Sequence, residues 1–424
     1  MQPRPEQEVA GGNSVYPRAH ALFAPPVAFE VGAPMSANTN MIFRKILISL
    51  FGLILLFFAG LSFYKSRHLK EPVVLGPAVS QVKKLSDYFE GIRGSTNDAN
   101  IYVCEGSQPG GTILLLGGTH PEEPAARLAA WIFVENARLM QGRLIVILSA
   151  NRSATTVTRL GGGYPPDYTI PTSWGGQTFR MGDRWSNPLD QWPDPEVYIH
   201  YPSRQELAYV DIRNLNRTWP GRANGTLTEK TCFALTQLIR QEKVDIAIDL
   251  HEAELQYPVI STIVAHEKGQ DLAAMASMMI TGTEDFDIGM ENSPYALRGL
   301  SHREIGDHTD AISLLLESPE PFLDATRGRT NRALLLEGKD KFIIRAGEHG
   351  LLFEKMDENG WPIDVRVGRH CSTVLHIADL WSEEHPDRGI KFAEIPRYAD
   401  VIDKGTGFYL HNPKHAESGR LYFE

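Results

Sequence analysis

From about residue 76 onward, the hydrophobic pattern of the chain alternates between short apolar runs and longer segments with helical periodicity. Short apolar runs are typical of buried strands, and an i, i+3, i+4 repeat is typical of helices. The predicted strands are Asn100–Val103, Thr112–Leu116, Arg143–Leu148, Val244–Leu250, Val259–Val264 and Ile312–Leu316; the predicted helices are Val82–Ile92, Ala125–Met140, Thr226–Glu242, Gln270–Met279 and Arg329–Leu351. Alternating strands and helices form a mostly parallel sheet with helices on both faces. We therefore predict an α/β fold, a three-layer α/β/α sandwich around a mostly parallel mixed sheet, over residues 76–351.

Two stretches lack this regular pattern. Residues 150–224 are rich in Gly, Pro, Trp and Asn, and their aromatic density favours an ordered, functional loop region over disorder. Residues 352–424 contain short strand-like pieces, Asp364–Val367 and Gly407–Leu410, and an amphipathic segment, Thr373–Trp381. We predict that residues 352–424 form a small C-terminal subdomain or a wrapping tail.

The N-terminal region predicts a membrane anchor. Residues 1–40 are rich in Pro, Gly and Ala without periodicity, which predicts disorder. Arg44 and Lys45 then precede Ile46–Tyr64, an uncharged run long enough to cross a bilayer as a helix. We predict a single transmembrane signal-anchor segment over residues 41–68, with the lipid bilayer as its partner and the remaining chain outside the cytosol. Cleavage of the segment, which would release a secreted protein, and a start of translation at Met41 are left open.

Composition excludes several other classes. A net charge of −10 and no stripe of Lys or Arg argue against nucleic-acid binding. Three scattered cysteines, Cys104, Cys232 and Cys371, are too few for a disulfide framework or a cysteine-based zinc site. A charged fraction of 22% is typical of an ordinary globular protein and leaves the oligomeric state open.

Three predicted strands each run into a histidine or an acid at their carboxyl end, where α/β proteins build their sites. The first strand leads into Gly117–Pro124, which contains His120 and Glu123 at the i, i+3 spacing of one helical face. The second strand ends at His251, and the third ends at Glu317. Any one of these would more often be a capping or surface residue, but three together indicate a catalytic centre.

The residue types suit a catalytic zinc ion, which takes three His or carboxylate ligands and leaves one position open. His120, Glu123 and His251 would be the ligands, and Glu317 would be the general base that deprotonates the activated water. For Glu122 we predict a structural role instead, because Thr119-His-Pro-Glu122 matches a helix capping box.

A further motif, Arg213–Gly221, contains the pair Asn216-Arg217, which could grip a carboxylate, although a surface arginine in a turn is the simpler interpretation in isolation. With the strand-end residues, the pair completes a resemblance to the zinc carboxypeptidase superfamily, which includes metallocarboxypeptidases and the succinylglutamate desuccinylase/aspartoacylase deacylases. The motifs are Gly-Gly-Thr-His120-x-x-Glu123, Asn216-Arg217-x-x-Pro220-Gly221, Asp249-Leu250-His251 and the strand-end Glu317, over roughly residues 90–350.

The resemblance implies hydrolysis of an amide bond next to a carboxylate. It also implies one zinc ion on His120, Glu123 and His251, a base role for Glu317, and binding of the substrate carboxylate by Asn216 and Arg217. The chain departs from the family pattern at Asn214, where an aspartate usually orients a zinc-ligand histidine. We therefore expect weaker zinc affinity than an aspartate would give. The arginine that polarises the scissile carbonyl in the family has three candidates here, Arg180, Arg184 and Arg213.

Two activities and one non-catalytic role remain open. The wide spacing between Glu123 and His251 favours a carboxypeptidase-like enzyme acting on a small peptide. The extension after residue 351 favours an N-acyl-amino-acid deacylase. A binding module that has lost activity is the third alternative, against which the presence of all four strand-end residues argues.

Overall fold

The computed structural model describes residues 37–158, 163–322 and 330–424, and the chain divides between Ala59 and Gly60 into two units. The described residues of the first unit form most of helix α1 (Ala37–Arg67), whose large apolar side chains are mostly exposed. Within the described residues, α1 is long and apolar enough to cross a membrane, as a signal sequence also is. A helix over the predicted anchor segment is therefore confirmed. Most of the predicted disordered segment, residues 1–36, lies outside the described residues.

The second unit is built on a mixed nine-stranded sheet. Its order is β12-β11-β13-β10-β4-β5-β3-β2, with β14 also paired to β5. The strands are β2 (Val79–Lys84), β3 (Asn100–Glu105), β4 (Gln108–Leu116), β5 (Arg138–Ile147), β10 (Ile246–Glu254), β11 (Thr262–Ala265), β12 (Gly289–Asn292), β13 (Ile312–Glu320) and β14 (Lys391–Ala393). The central strands β13, β10, β4 and β5 are parallel, as are β11 and β12 at one edge. The other neighbouring pairs are antiparallel.

Smaller strand pairs lie outside this sheet. They are β1 (Pro72–Val74) with β15 (Leu421–Phe423), β6 (Asp167–Thr172) with β7 (Gly175–Arg180), and β8 (Tyr198–Ile199) with β9 (Glu206–Leu207). The last two pairs belong to the irregular region 150–224. That region also contains short 3-10 helices, among them Arg152–Thr156, Tyr209–Arg213 and Leu215–Arg217.

Helices cover both faces of the large sheet, which confirms the predicted layered α/β architecture. Those described in this unit are α2 (Pro124–Asn136), α3 (Leu227–Gln241), α4 (Gln270–Thr283), α5 (Ser301–His308), α6 (Arg332–Glu337), α7 (Lys341–Glu348), α8 (Ile363–Glu384) and α9 (Tyr398–Lys404). Side chains of α2, α4 and α8 pack with Ile113 and Leu115 on one face, and α3 and α5 pack with Leu114 and Leu116 on the other. Alternate residues of β4 thus serve both cores, as expected of a central strand.

Several element predictions are wrong. The predicted helix Val82–Ile92 is instead the end of β2 followed by 3-10 turns at Leu85–Asp87 and Glu90–Ile92. The predicted long helix from Arg329, a residue outside the described ones, to Leu351 is broken into α6 and α7. The helix from Ala125 ends at Asn136 rather than Met140, because β5 begins at Arg138.

The C-terminal residues are more helical than predicted. Asp364–Val367 lies in the first turns of α8, and Gly407–Leu410 falls largely in a 3-10 helix. The amphipathic segment Thr373–Trp381 is helical and also lies in α8. Helix α8 packs in the core with α2 and α4, and β14 adds to the large sheet beside β5. A domain boundary at residue 351 stays a prediction.

Candidate metal and catalytic site

The three predicted metal ligands converge at the carboxyl ends of two neighbouring parallel strands, β4 and β10. His120 and Glu123 follow β4, and His251 lies near the end of β10. One potential ligand atom from each residue lies within 4.8 Å of the others, and all three side chains are buried. Two imidazoles and one carboxylate in this arrangement form a donor set that suits a catalytic zinc ion.

The orientation of both histidines supports this fit. The Nδ1 atoms of His120 and His251 lie 2.7 and 2.9 Å from the two carboxylate oxygens of Glu123. The Nε2 atoms point to other partners: His120 Nε2 lies 2.9 Å from Asn214 Oδ1, and His251 Nε2 lies 3.0 Å from Asp249 Oδ2. Asn214 thus holds the His120 ring by a hydrogen bond, and Asp249 makes an ion-pair contact with His251. Both Nδ1 atoms face the Glu123 carboxylate, and outer partners of this kind orient histidines that bind a metal.

Asp249 supports His251. It belongs to the motif Asp249-Leu250-His251, but the sequence predicts no role for it. It lies two positions before His251 on the same strand, so both side chains share one face of the sheet. Its other oxygen, Oδ1, accepts a hydrogen bond of 2.7 Å from the hydroxyl of Thr119. The period of two along a predicted strand could have identified this partner.

Burial and charge shift the pKa values of the three residues in different directions. Burial lowers the pKa of His120 to about 4, against the opposing influence of the Glu123 carboxylate. Burial alone would raise the pKa of Glu123, but the two histidines outweigh it and lower the pKa. Burial would likewise lower the pKa of His251, but Asp249 and Glu123 raise it well above its ordinary value. The carboxylate is therefore held ionised between the two rings, the state that a metal ligand needs.

The local structure around His120 differs from the expected helical face. Residues 119–122 form a turn, α2 begins only at Pro124, and Glu123 occupies the N-cap position. The turn is closed by a 3.1 Å hydrogen bond from Glu123 N to His120 O, which brings the two side chains together without a helix. The predicted capping box of Thr119 and Glu122 is therefore wrong.

Glu122 contacts an arginine instead. Its Oε1 accepts from Arg184 Nε at 3.1 Å, and Arg184 Nη2 lies 3.3 Å from Glu123 Oε1. Of the three candidate arginines, Arg180 pairs with Glu71 and Arg213 pairs with Asp194. Arg184 is thus the one that contacts a predicted ligand, Glu123. No pattern in the irregular region could have singled it out.

Glu317 lies beside His251, because the two residues are paired in register on the parallel strands β13 and β10. Its side-chain Oε2 is buried and has no hydrogen-bond partner among the residues that the structure describes. Burial is the main reason that the pKa of Glu317 lies well above its ordinary value, and His251 opposes this shift. A buried carboxyl group with a free oxygen and an affinity for a proton is suited to general base catalysis.

Asn216 and Arg217 lie in the 3-10 helix Leu215–Arg217, directly after Asn214. Asn216 Oδ1 accepts from Ser301 N at 2.8 Å, at the start of α5. Arg217 donates to the carbonyl oxygen of Asn216 at 2.7 Å, and no carboxylate of the described residues lies within 4.0 Å of its guanidinium. Burial lowers the pKa of Arg217 but leaves a cation without an anionic partner. Such a group suits a carboxylate ligand.

Comparison with solved structures finds distant matches. A succinylglutamate desuccinylase from Silicibacter is 18% identical, with 52% of this chain and 53% of that chain covered and a TM-score of 0.31. A succinylglutamate desuccinylase/aspartoacylase from Rhodobacter sphaeroides is 18% identical, with 62% and 63% covered and a TM-score of 0.31. A metallo-carboxypeptidase from Burkholderia cenocepacia is 13% identical, with 62% and 58% covered and a TM-score of 0.33.

The matched part spans about half of the length of the Silicibacter protein. Comparison with protein-family models gives no match, and comparison with curated proteins gives none either. The matched structures belong to the two groups that the sequence motifs resemble, but they are distant. The geometry of the site is therefore the basis on which a function can be inferred for this chain.

Proposed function

We propose that the chain is a zinc-dependent hydrolase that cleaves an amide bond next to a carboxylate, in the manner of a carboxypeptidase. The observation that carries this proposal is the convergence of His120, Glu123 and His251 beside Glu317, whose Oε2 is unpartnered. A bound zinc ion would supply a Lewis acid that polarises the amide carbonyl and lowers the pKa of water.

The chain's own residues would supply the remaining chemistry. Glu317 takes a proton from the attacking water, whose oxygen bonds to the carbonyl carbon, and passes the proton to the leaving nitrogen as the carbon–nitrogen bond breaks. Arg217 and Asn216 hold the substrate carboxylate, an interaction supported by the missing acidic partner of Arg217. Arg184, which already reaches Glu123, is the best candidate to donate to the carbonyl oxygen.

The second candidate activity is deacylation of an N-acyl amino acid. It is favoured by the extension after residue 351, which packs behind the strand that carries His251. Arg366 of α8 pairs at 2.8 Å with Glu252, which directly follows His251. The other oxygen of Glu252 accepts from Ala125 N in the first turn of α2. The segment after residue 351 is thus joined to the strand that carries His251. The contact lies on the strand face opposite to the His251 side chain, so the segment supports the site from behind.

We also propose that α1 anchors the enzyme in a membrane as a single-pass helix and that the catalytic unit lies outside the cytosol. The support is the length and apolar surface of α1. Peptides or acylated amino acids outside the cytosol would then be the substrates.

The test uses the detergent-solubilised full chain. We expect about one zinc ion per chain by elemental analysis, and hydrolysis of peptides with a free terminal carboxylate but not of the same peptides as amides. Turnover of N-acyl amino acids in place of peptides would support the deacylase. Bound zinc without turnover of either substrate class would support the non-catalytic binding module. Absence of both zinc and hydrolysis would overturn the proposal.

The variant Glu317→Gln tests whether Glu317 acts as the general base or as a metal ligand. We expect turnover to fall by at least about 10²-fold while the zinc content is unchanged, since general base catalysis typically contributes that much. Glu291→Gln, on exposed β12 and away from the site, is the control and should change neither quantity. Loss of zinc in Glu317→Gln would make Glu317 a ligand instead of the base.

A further inference from the structure

The last residue of α1 belongs to the second unit and pairs with other residues of that unit. Arg67, its last residue, pairs with Asp190 at 2.6 Å and lies 3.4 Å from the Thr156 hydroxyl. Asp190 is held in turn by the hydroxyl of Ser153 at 2.7 Å. These residues all belong to the unit that begins at Gly60. If α1 crosses a bilayer, the covalent chain brings this part of the surface next to the lipid.

A basic cavity of about 310 Å³ lies at this point, and we call it the juxtamembrane pocket. It is lined by Arg67, His68, Leu69, Lys70, Gly94, Ser95, Thr96, Arg152, Thr156, Arg180 and Glu424. Four lining side chains are lysine or arginine, and one is acidic. The Oε1 of that acid, Glu424, accepts hydrogen bonds from Asn100 and Tyr102.

The positive charge of the pocket is only partly neutralised. Among the described residues, no carboxylate lies within 4.0 Å of Lys70 or Arg152. Arg180 is buried and shares the single carboxylate of Glu71 with Arg127, so this group of three carries one excess positive charge. An anion is therefore needed to neutralise the remaining positive charge of the pocket.

Large apolar side chains flank the same anchor point. Leu189 is 81% exposed and Trp192 is 73% exposed, and they lie on either side of Asp190, which pairs with Arg67. Trp192 is the exposed tryptophan of the chain; the others are buried or half-buried. The surface around Trp192 contains Asp194 and Glu196 as well as Arg213. An exposed tryptophan is typical of a surface that meets the lipid headgroup region.

We propose that this face is a membrane-contact surface, in which the juxtamembrane pocket binds the phosphate of an anionic phospholipid and Leu189 and Trp192 enter the headgroup region. The proposal rests on the membrane-spanning role proposed for α1 and is independent of the zinc chemistry. The guanidinium of Arg152 provides the paired donors that match a phosphate, and Lys70 adds a second cation. A lipid so bound would hold the catalytic unit against the bilayer.

The pocket is tested by titrating the full chain in a nonionic detergent with dioctanoyl phosphatidylglycerol and, separately, with dioctanoyl phosphatidylcholine and inorganic phosphate. We expect tighter binding of phosphatidylglycerol than of the other two probes. Arg152→Gln and Lys70→Gln should each weaken it about fivefold. Arg345→Gln is the matched control and should leave binding unchanged. Arg345 is an exposed arginine on α7 that has no acidic partner within the described part of the chain. Equal binding of inorganic phosphate, or no effect of either pocket variant, would overturn the lipid site.

The apolar contact is tested in nanodiscs that contain brominated lipids, which quench nearby tryptophan. Since α1 contains no tryptophan, quenching reports on the second unit alone. We expect clear quenching in the natural chain and its loss in Trp192→Phe, whereas Trp361→Phe should retain it. Incorporation of the chain without quenching of Trp192 would overturn the contact surface alone. Failure of the chain to enter the bilayer would overturn the role of α1 as well.

Discussion

At the scale of single residues, Asn214 determines how His120 is presented. Its Oδ1 accepts from His120 Nε2 at 2.9 Å and from Asn216 N at 3.0 Å, so one amide oxygen orients both the predicted ligand and the pair predicted to bind the substrate carboxylate. A neutral amide fixes the ring but does not add the negative charge that makes a ligand histidine more basic.

Asn214→Asp should therefore tighten zinc binding by about tenfold, because outer-shell partners of ligand histidines typically change metal affinity by about 10–100-fold. The zinc dissociation constant, measured by competition with a chelator, tests this. Asn151→Asp is a suitable control. Its side chain is buried, accepts from Ala154 N and Ser186 Oγ, and contacts neither histidine. An unchanged constant in Asn214→Asp, or an equal gain in the control, would contradict the assigned influence of Asn214.

The sequence predicts which residues lie together at the strand ends. It does not predict the contacts that residues in loops make. The sequence allows His120, Glu123, His251 and Glu317 to be identified, because the carboxyl ends of parallel strands meet at one edge of the sheet. The role of Glu122 was predicted wrongly, because a capping box and the turn that precedes α2 share the same residue types. Its true partner, Arg184, is 62 residues away in a region without periodicity. Local patterns do not encode such distant pairings.

At the scale of elements, Gly338 separates two helices that the apolar pattern joined. It ends α6 in the left-handed conformation, with φ 64°, and donates to Leu334 O at 2.7 Å. Asp340 then caps α7 through a 2.7 Å bond from Phe342 N. A Cβ at position 338 would lie 1.8 Å from the carbonyl oxygen of Trp361, so the close approach requires glycine.

Gly338→Ala should lower the free energy of unfolding by at least about 1–2 kcal/mol, the cost of a left-handed residue with a Cβ. Gly282→Ala in α4 is the matched control. Its added Cβ would meet no atom within 4 Å, so we expect no loss and a gain of about 0.5–1 kcal/mol from helix propensity. Urea denaturation of both variants in detergent provides the comparison. Similar unfolding midpoints for the two variants would contradict the steric role of Gly338.

The predicted helix at Val82–Ile92 is wrong because strand pairing and side-chain contacts determine the structure of this segment. Its apolar residues recur at helical spacing, yet β2 pairs antiparallel with β3 at the sheet edge. Side chains then stabilise the turns that follow: Asp98 accepts from Ser86 N, and Asp87 accepts from Lys84 N. Pairing with a strand across the sheet outweighed local propensity, which a single-sequence pattern cannot anticipate.

At the scale of the molecule, distant parts of the chain meet on α2. Glu135, in its last turn, accepts from Val74 N in β1 at 2.9 Å and from His411 N at 2.6 Å. Nearby, β1 pairs with β15 and joins the two ends of the second unit. These links span up to about 350 residues of sequence, so no pattern of neighbouring residues could reveal them. Because the C-terminal residues are stabilised by these distant contacts, their own sequence shows no regular hydrophobic pattern.

Glu135 also makes stability depend on pH. Burial raises its pKa to about 8, although both backbone N–H groups favour the ionised form. An unfolded glutamate titrates near about 4.3, so between that pH and about 8 the folded chain holds a proton that the unfolded chain has lost. This contribution to stability is complete at acidic pH and is lost as the pH rises through the window.

Glu135→Gln cannot titrate, so the stability of the natural chain relative to this variant should fall by about 1 kcal/mol per pH unit between pH 5 and 8, below the linkage limit of about 1.4. Urea denaturation of both chains in detergent at pH 5, 6.5 and 8 gives this difference, in which all other titrating groups cancel. A difference that stays constant with pH would mean that Glu135 is ionised throughout. The carboxylate would then join β1 and residue 411 to α2 as a charged acceptor, and the N–H donors that face it would stabilise its negative charge.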